Sequence, residues 1–156
     1  MEMLAAGALA PGFQLPSLDG RTCTLPDLLE SGPVTLVFFK ASCPVCQFTL
    51  PFLERISTGP ALRFVAISQD DEETTLRFNE RFGVAFLTLI DGPAPRYPAS
   101  DAYGIGSVPS LFVVEADGRV SKSFAGFSKK EMEALGARAG IPPFRPEERV
   151  PEWKAG

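Results

Sequence analysis

Short apolar runs alternate with amphipathic stretches along most of the chain. The runs are rich in Val, Ile and Phe, which favours strands buried in a sheet. They cover residues 34–39, 62–67, 86–90, 110–115 and 119–127. Between them, apolar residues at helical spacing and turn signals predict helices over about 44–56, 70–83, 99–103 and 128–139. This alternation predicts an α/β fold with helices on both faces of a central sheet.

The connections between the strands predict their directions. Helices join the earlier strands, so these should be mainly parallel. The short turn Ala116-Asp117-Gly118 joins the last two strands into a hairpin. The central sheet is therefore predicted to be mixed, with the hairpin as an antiparallel edge. A second, N-terminal hairpin is predicted around Asp19-Gly20, a typical turn pair.

One domain over residues 1–140 accounts for these elements. Gly140 should end the last helix, and the proline-rich, polar residues 141–156 are predicted to form a loosely attached tail.

Pro51 lies inside the first long helix and predicts a kink or a break there. The spacing of Leu76, Phe78 and Phe82 predicts the apolar face of the next helix.

Composition narrows the functions open to such a fold. The chain has 156 residues, 45% of them hydrophobic, with a formal net charge of −4 and a pI of about 4.9. An acidic protein is a poor partner for nucleic acid, whose phosphates must be neutralised. No apolar run approaches the roughly 18 residues that span a membrane, and the start of the chain lacks the basic residues of a signal peptide. We expect no membrane partner and a cytoplasmic location, or a periplasmic or other extracytoplasmic one if a signal segment had been removed.

The chain contains no histidine. This excludes Ser-His-Asp and Cys-His hydrolases, histidine general bases and zinc sites that use imidazole. The chemistry must therefore come from thiols, carboxylates, lysines or backbone groups.

The motif Cys43-Pro44-Val45-Cys46 lies between a buried strand and a helix. Two intervening residues at a helix start allow the two sulfurs to approach bonding distance. Pro44 suits the first helical turn, where its missing N–H would be unpaired anyway. Cys43 then lies at the positive end of the helix dipole, which should lower its pKa and make it the exposed nucleophile. Cys46 should be the more buried thiol and resolve a mixed disulfide.

The two cysteines could also be metal ligands or an inert buried pair. A cysteine zinc site or an iron–sulfur cluster needs four ligands, and only Cys23 remains, so we expect no metal. An inert buried pair is a further alternative. Cys23 itself is most simply a small, half-buried residue of the N-terminal hairpin, with a third redox thiol as the other interpretation.

Two further positions bear on this chemistry. A proline is awkward before a central strand, and Val108-Pro109 stands there. A cis bond would form a tight turn that lies beside Cys43 and leaves the Val108 backbone free to pair with an extended substrate. An ordinary trans proline is the alternative. Lys40 is either a strand-end lysine facing solvent or an ammonium that stabilises the Cys43 thiolate.

Together these motifs resemble the thioredoxin fold, with the likeness covering about residues 10–140. The segment 10–25 resembles the redoxin branch, which comprises AhpC/TSA peroxiredoxin-like and TlpA/ResA-like thiol-disulfide oxidoreductases. Members of that branch add an N-terminal hairpin and a central insertion, and residues 68–104 fit the insertion. The resemblance implies that Cys43 is the nucleophile, Cys46 the resolving cysteine and Pro109 a cis-proline. Their redox-active disulfide would need no other cofactor.

Three positions depart from the family pattern. Ser42 replaces the tryptophan that most relatives place before the first cysteine, and with Pro44 and Val45 it would shape the active site. Thioredoxins have a buried aspartate where Val37 stands, and TlpA/ResA-like proteins often have a glutamate where Thr49 stands. No carboxylate at those positions can take the proton of Cys46, so water or a carboxylate from another segment must.

Three functions remain for this sequence. The first is a thiol-disulfide oxidoreductase that acts on a disulfide-containing protein or a small thiol substrate, with an upstream thiol reductant or oxidant. The second is a thiol peroxidase, whose Pro-x-x-x-Thr-x-x-Cys motif is absent because Leu36 and Lys40 occupy the Pro and Thr positions. The third is a binding module that kept the fold and lost turnover.

Overall fold

The computed structural model describes residues 2–92 and 96–156. Residues 93–95, part of the loop predicted over 91–98, and Met1 lie outside these ranges. The strands are β1 (Gln14–Pro16), β2 (Thr22–Thr24), β3 (Val34–Phe39), β4 (Arg63–Ser68), β5 (Thr88–Ile90), β6 (Ser110–Val114), β7 (Val120–Ala125), β8 (Phe127–Ser128) and β9 (Trp153–Lys154). The helices are α1 (Leu25–Leu29), α2 (Pro44–Ser57), α3 (Glu72–Phe82), α4 (Pro98–Tyr103) and α5 (Lys129–Ala139).

The central sheet has five strands in the order β5-β4-β3-β6-β7. Strands β3, β4 and β5 pair in parallel, whereas β3 pairs with β6, and β6 with β7, in antiparallel fashion. The mixed sheet is therefore confirmed. The expectation of a mainly parallel sheet is wrong, because half of the pairings are antiparallel and one of these involves the central strand β3.

Both faces of the sheet are covered, as its apolar strands predicted. Alternate side chains of β3 point to opposite faces. Val37 and Phe39 pack in the core with α2, α3 and α5. Leu36 and Phe38 pack in the core with α1, α4 and the N-terminal hairpin. Every residue of β3 is buried, so the strand is fixed in the middle of the molecule just before Cys43.

The N-terminal hairpin of β1 and β2 is confirmed, and a short helix follows it that was not predicted. Helix α1 begins with a capping box, in which Thr24 accepts from the Asp27 amide and Asp27 accepts from the Thr24 amide. Thr24, Asp27 and a proline in the first turn were the sequence signals for it. Five residues are too few for periodicity to reveal a helix.

Two predictions about the long helices are met only in part. Helix α2 continues through Pro51, so the predicted break does not occur. On the predicted apolar face of α3, Phe78 is buried, but Leu76 is 47% exposed and Thr75 is buried in its place. Within the described part of the chain, the helices are all too short or too polar to cross a membrane.

The C-terminal segment is packed onto the domain, so the prediction of a loosely attached tail is wrong. Strand β9 pairs with β8, which continues from β7 beyond Gly126. Phe144 packs on Phe52 and Phe127, with ring centroids 5.0 and 5.9 Å away. Arg55 of α2 donates to the carboxylate of Glu148 at 2.7 Å. Apolar and charged contacts thus attach this segment to α2 and to the last strands.

Candidate active site

Cys43 lies at the junction of β3 and α2. It is the N-cap residue of α2, and Pro44 occupies the first helical turn as predicted. The Sγ atom of Cys43 accepts a hydrogen bond from the Cys46 amide at 3.2 Å. An N-terminal amide is otherwise unpaired in a helix, and it is a good donor to a negatively charged sulfur. The local fold therefore supplies an anion site at the first cysteine.

The two cysteines of the motif differ in exposure. Cys43 is half-buried and Cys46 is fully buried, as predicted, and both are free thiols in this structure. Burial raises the pKa of the Cys46 thiol far above its usual range, and the neighbouring Cys43 adds to the effect. Cys46 therefore stays protonated at neutral pH until a reaction at Cys43 changes its surroundings.

The turn at Val108-Pro109 lies beside Cys43. Its peptide bond is cis, as predicted. The thiol of Cys43 donates to the Val108 carbonyl oxygen at 3.3 Å. The carbonyl of Pro109 accepts from the Gly126 amide at 2.8 Å, which ties the turn to the last strands. The carbonyl of Val108 therefore already accepts one hydrogen bond, from Cys43, in this state.

The other predicted site residues surround the two cysteines. Ser42 and Pro44 are exposed, and Val45 is half-buried against the core under α2. Lys40 is exposed at the end of β3. Its side chain and Val108 line a shallow groove together with Gln69 and residues 105–107. The exposure of Lys40 supports its solvent-facing interpretation, and its positive charge lies in the groove that also contains Val108.

The structure leaves Cys46 without an obvious proton acceptor. Val37 is buried in β3, and Thr49 is buried in α2 with a hydroxyl that has no hydrogen-bond partner among the described residues. No carboxylate within residues 2–92 and 96–156 accepts a hydrogen bond from the Cys46 thiol. Among the described residues, no other carboxylate in contact with Cys46 replaces the ones that relatives have at positions 37 and 49.

Asp70 is the residue of this region that the sequence analysis missed. The sequence pattern places residues 70–73 at a helix start, but Asp71 alone is the N-cap of α3. Asp70 instead accepts from the Ala41 amide at 2.7 Å, across from the loop that leads into Cys43. Its charge contributes to the raised pKa of Cys46. Two adjacent aspartates before one helix were the available signal, because only one can cap it.

Cys23 takes the simpler of its two predicted roles. It is half-buried in β2, pairs with Leu15 of β1 and packs against the core on the α4 side of the sheet. Cys43 and Cys46 belong to the core on the opposite face.

Comparisons with known proteins agree with this fold and site. The family model of the AhpC/TSA family matches residues 6–123. The thiol-disulfide oxidoreductase ResA of Geobacillus thermodenitrificans is 30% identical over 132 residues, which cover 82% of this chain and 74% of ResA.

Solved structures show the thioredoxin-like fold. One is a Bacteroides thetaiotaomicron protein presented as a protein disulfide isomerase, with a TM-score of 0.77 and 22% identity over 90% of this chain and 92% of that one. Another is a secreted disulfide oxidoreductase of Mycobacterium tuberculosis, homologous to DsbE of E. coli. Its TM-score is 0.66, with 24% identity over 80% of this chain and 94% of that one. The chain belongs to the AhpC/TSA family, within the redoxin branch of the thioredoxin superfamily.

Proposed function

We propose that this thiol-disulfide oxidoreductase works through Cys43 as nucleophile and Cys46 as resolving thiol, with their reversible disulfide as its only redox group. One observation carries the proposal. The Sγ atom of Cys43 lies 3.2 Å from the Cys46 amide and 3.3 Å from the Val108 carbonyl oxygen. A half-exposed sulfur is thus held between a helix N-terminus and the turn where a substrate would bind.

The reaction takes two exchange steps. The Cys43 thiolate attacks one sulfur of a substrate disulfide, forms a mixed disulfide and releases the other substrate sulfur as a thiolate. Cys46 then loses its proton and attacks Cys43, which forms the Cys43–Cys46 disulfide and releases the second substrate thiolate. The substrate gains two electrons and the two cysteines lose them. The same steps in reverse oxidise a substrate dithiol.

Proton transfer limits the second step. The raised pKa of Cys46 keeps it from competing with Cys43 for the first attack. We propose that its proton leaves to water, which the half-exposed Cys43 side of the site can admit. Attack on Cys43 then follows within the first turn of α2, where the two residues are already close.

The partners follow from the reaction. We propose a protein disulfide or a small thiol compound as substrate, and a separate thiol reductant or oxidant that recycles the pair.

The secreted neighbour from Mycobacterium tuberculosis supports an extracytoplasmic location for this protein instead of the expected cytoplasmic one. Peroxidase chemistry is the weaker alternative, because Leu36 and Lys40 replace the proline and the threonine of the peroxidase motif.

Cysteine variants test the proposal, because the chain offers a matched control. Reduction of a chromogenic disulfide by dithiothreitol, catalysed by the protein, should be abolished in Cys43→Ser. Cys46→Ser should form a mixed disulfide with the substrate that persists, as mass spectrometry would show. Cys23→Ser should behave as wild type. Equal activity in Cys43→Ser and wild type would favour the binding-module alternative.

A further inference from the structure

We infer that the C-terminal segment 153–156 is a wall of the substrate site that selects small disulfides over those in extended polypeptides. This inference rests on the proposed function, and it concerns which substrates reach Cys43. The segment was not expected near the site, since residues 141–156 were predicted to be loosely attached.

Contacts with β8, with the start of α5 and with α2 hold the segment in place. Lys154 pairs with Phe127, and Trp153 with Ser128, in the β8–β9 ladder. Just before them, the carbonyl of Glu152 accepts from the Lys129 amide at 2.9 Å. The ammonium of Lys154 also lies 5.4 Å from the centre of the Phe48 ring, in the first half of α2. The segment is therefore anchored to the strand after Gly126 and to the helix that carries both cysteines.

Beyond Lys154, the segment reaches the turn beside Cys43. A methyl group placed on Gly156 would come within 2.1 Å of the Val108 carbonyl oxygen. One placed on Gly126 would come within 2.4 Å of the Lys154 carbonyl oxygen. Both close approaches need glycine, and Gly126 also has a φ of +77°. The backbone of the segment thus passes directly against Gly126 and Val108.

This position matters because Val108 is where an extended substrate would pair. A polypeptide that adds itself along Val108 needs the space around its backbone groups. Gly156 occupies that space on the carbonyl side. The groove lined by Lys40, Gln69 and residues 105–108 includes no residue of segment 153–156. The groove reaches Val108, whose carbonyl oxygen lies 3.3 Å from the Cys43 sulfur. We therefore expect a small disulfide to approach Cys43 along this groove without displacing the segment, whereas a long peptide could not pair with the Val108 carbonyl.

Two substrates with the same leaving group test the inference. One is the mixed disulfide of glutathione with thionitrobenzoate, and the other is an unstructured longer peptide whose central cysteine carries the same group. Release of thionitrobenzoate is followed with the reduced protein.

Lys154→Glu replaces the cation over Phe48 by an anion, which the ring face repels. Lys154→Pro disrupts the β8–β9 ladder more strongly. Lys130→Glu, an exposed residue of α5, is the control with the same change of charge.

Displacement of the segment can be followed separately, because Trp153 is the only tryptophan of the chain. We expect Lys154→Glu to change its emission and to raise the rate with the peptide, relative to the rate with the glutathione compound, by about two- to fivefold, the range expected from an exposed cation–π contact. The change should be larger in Lys154→Pro and absent in Lys130→Glu.

An unchanged ratio of the two rates in variants with altered Trp153 emission would overturn the inference. So would unaltered emission in both variants, since the contacts named here would then not hold the segment. Failure of the proposed function looks different, because thionitrobenzoate release would then persist in Cys43→Ser with either substrate.

Discussion

Cys43 and Cys46 are only three positions apart, yet their surroundings give them different reactivities. Brief alkylation of the reduced protein at neutral pH should label Cys43 and leave Cys46 unmodified. Cys43 is half-buried, whereas Cys46 is fully buried and its raised pKa keeps it protonated. Peptide mass mapping after timed iodoacetamide treatment gives the order of labelling. Labelling of Cys46 first, or of both at equal rates, would contradict the assignment of roles.

The raised pKa of Cys46 also sets the pH dependence of the second exchange step. Only the thiolate attacks, so the rate at which a mixed disulfide on Cys43 is resolved should rise about tenfold per pH unit across the neutral range. No plateau is expected there, because burial, the largest cause of the raised pKa, remains when Cys43 carries the mixed disulfide. Stopped-flow measurement on a preformed mixed disulfide gives this rate. A plateau near pH 7 would show that Cys46 ionises more readily than its burial implies.

Asp70 should oppose that ionisation. Its carboxylate is one of the groups that raise the pKa of Cys46. In Asp70→Asn the side-chain oxygen can still accept from the Ala41 amide, but the negative charge is lost. Resolution at pH 7 should therefore become about two- to tenfold faster. Asp117→Asn, an exposed change of the same kind, is the control. A slower reaction in Asp70→Asn would instead identify Asp70 as the proton acceptor.

At the scale of elements, the segment that carries Val108 depends on a buried carboxylate. Asp91 is fully buried and accepts from the Ala99 and Ser100 amides of α4 at 2.9 and 2.7 Å. Asp91→Ala leaves both amides without that acceptor, at a cost of about 1–3 kcal/mol for each buried donor. Chemical denaturation would measure the loss. Asp101→Ala, exposed on the same helix, should change stability by no more than about 0.5 kcal/mol.

A loss of stability in Asp91→Ala similar to that in Asp101→Ala would show that water replaces the carboxylate. Asp91→Asn, which retains one acceptor oxygen, should lie between the wild type and Asp91→Ala.

The sequence was most informative about elements that are buried on both faces. All five central strands were located to within a few residues, because continuous apolar runs such as Val34–Phe39 are typical of strands covered on both sides. Helix starts at Asp71 and Ser128 were likewise signalled by capping residues. The antiparallel pairing of β3 with β6 was not evident, since the chain between β5 and β6 contains a helix whichever way β6 runs.

For the whole molecule, the attachment of the C-terminal segment should depend on pH. Arg55 and the Arg145 amide donate to Glu148 and lower its pKa from 4.5 to about 2. A depressed pKa stabilises the docked state above pH 4.5, and this contribution is lost as the pH falls towards 2. At pH 7, Glu148→Gln should therefore increase tryptic cleavage at Arg149 about two- to fivefold. Glu147→Gln is the exposed control.

The effect of Glu148→Gln should shrink as the pH falls below 4.5, which Trp153 emission can follow where trypsin is inactive. An effect that is the same at pH 7 and pH 3 would contradict the role given to the Glu148 charge.

Local sequence was sufficient to predict the cysteines and the cis-proline at the centre of the site. It was insufficient to predict the residues that surround them. Cys43, Cys46 and the cis bond before Pro109 follow from short motifs. The contact of Asp70 with Ala41 joins residues 29 positions apart, and that of Arg55 with Glu148 joins residues 93 apart. Such contacts depend on the three-dimensional arrangement of surface segments, which hydrophobic periodicity does not encode. The wall formed by residues 153–156 belongs to this second class.

The central claim is that Cys43 and Cys46 form a reversible, redox-active disulfide. Equilibration of the full chain in graded dithiothreitol buffers, followed by alkylation and peptide mass mapping, tests it most directly. We predict one two-electron transition in which Cys43 and Cys46 pair while Cys23 stays free. A midpoint below about −250 mV would identify a reductant, and one above about −200 mV an oxidant or isomerase. If Cys43 and Cys46 never pair at any potential, the account of this protein as an oxidoreductase that uses these two cysteines is contradicted.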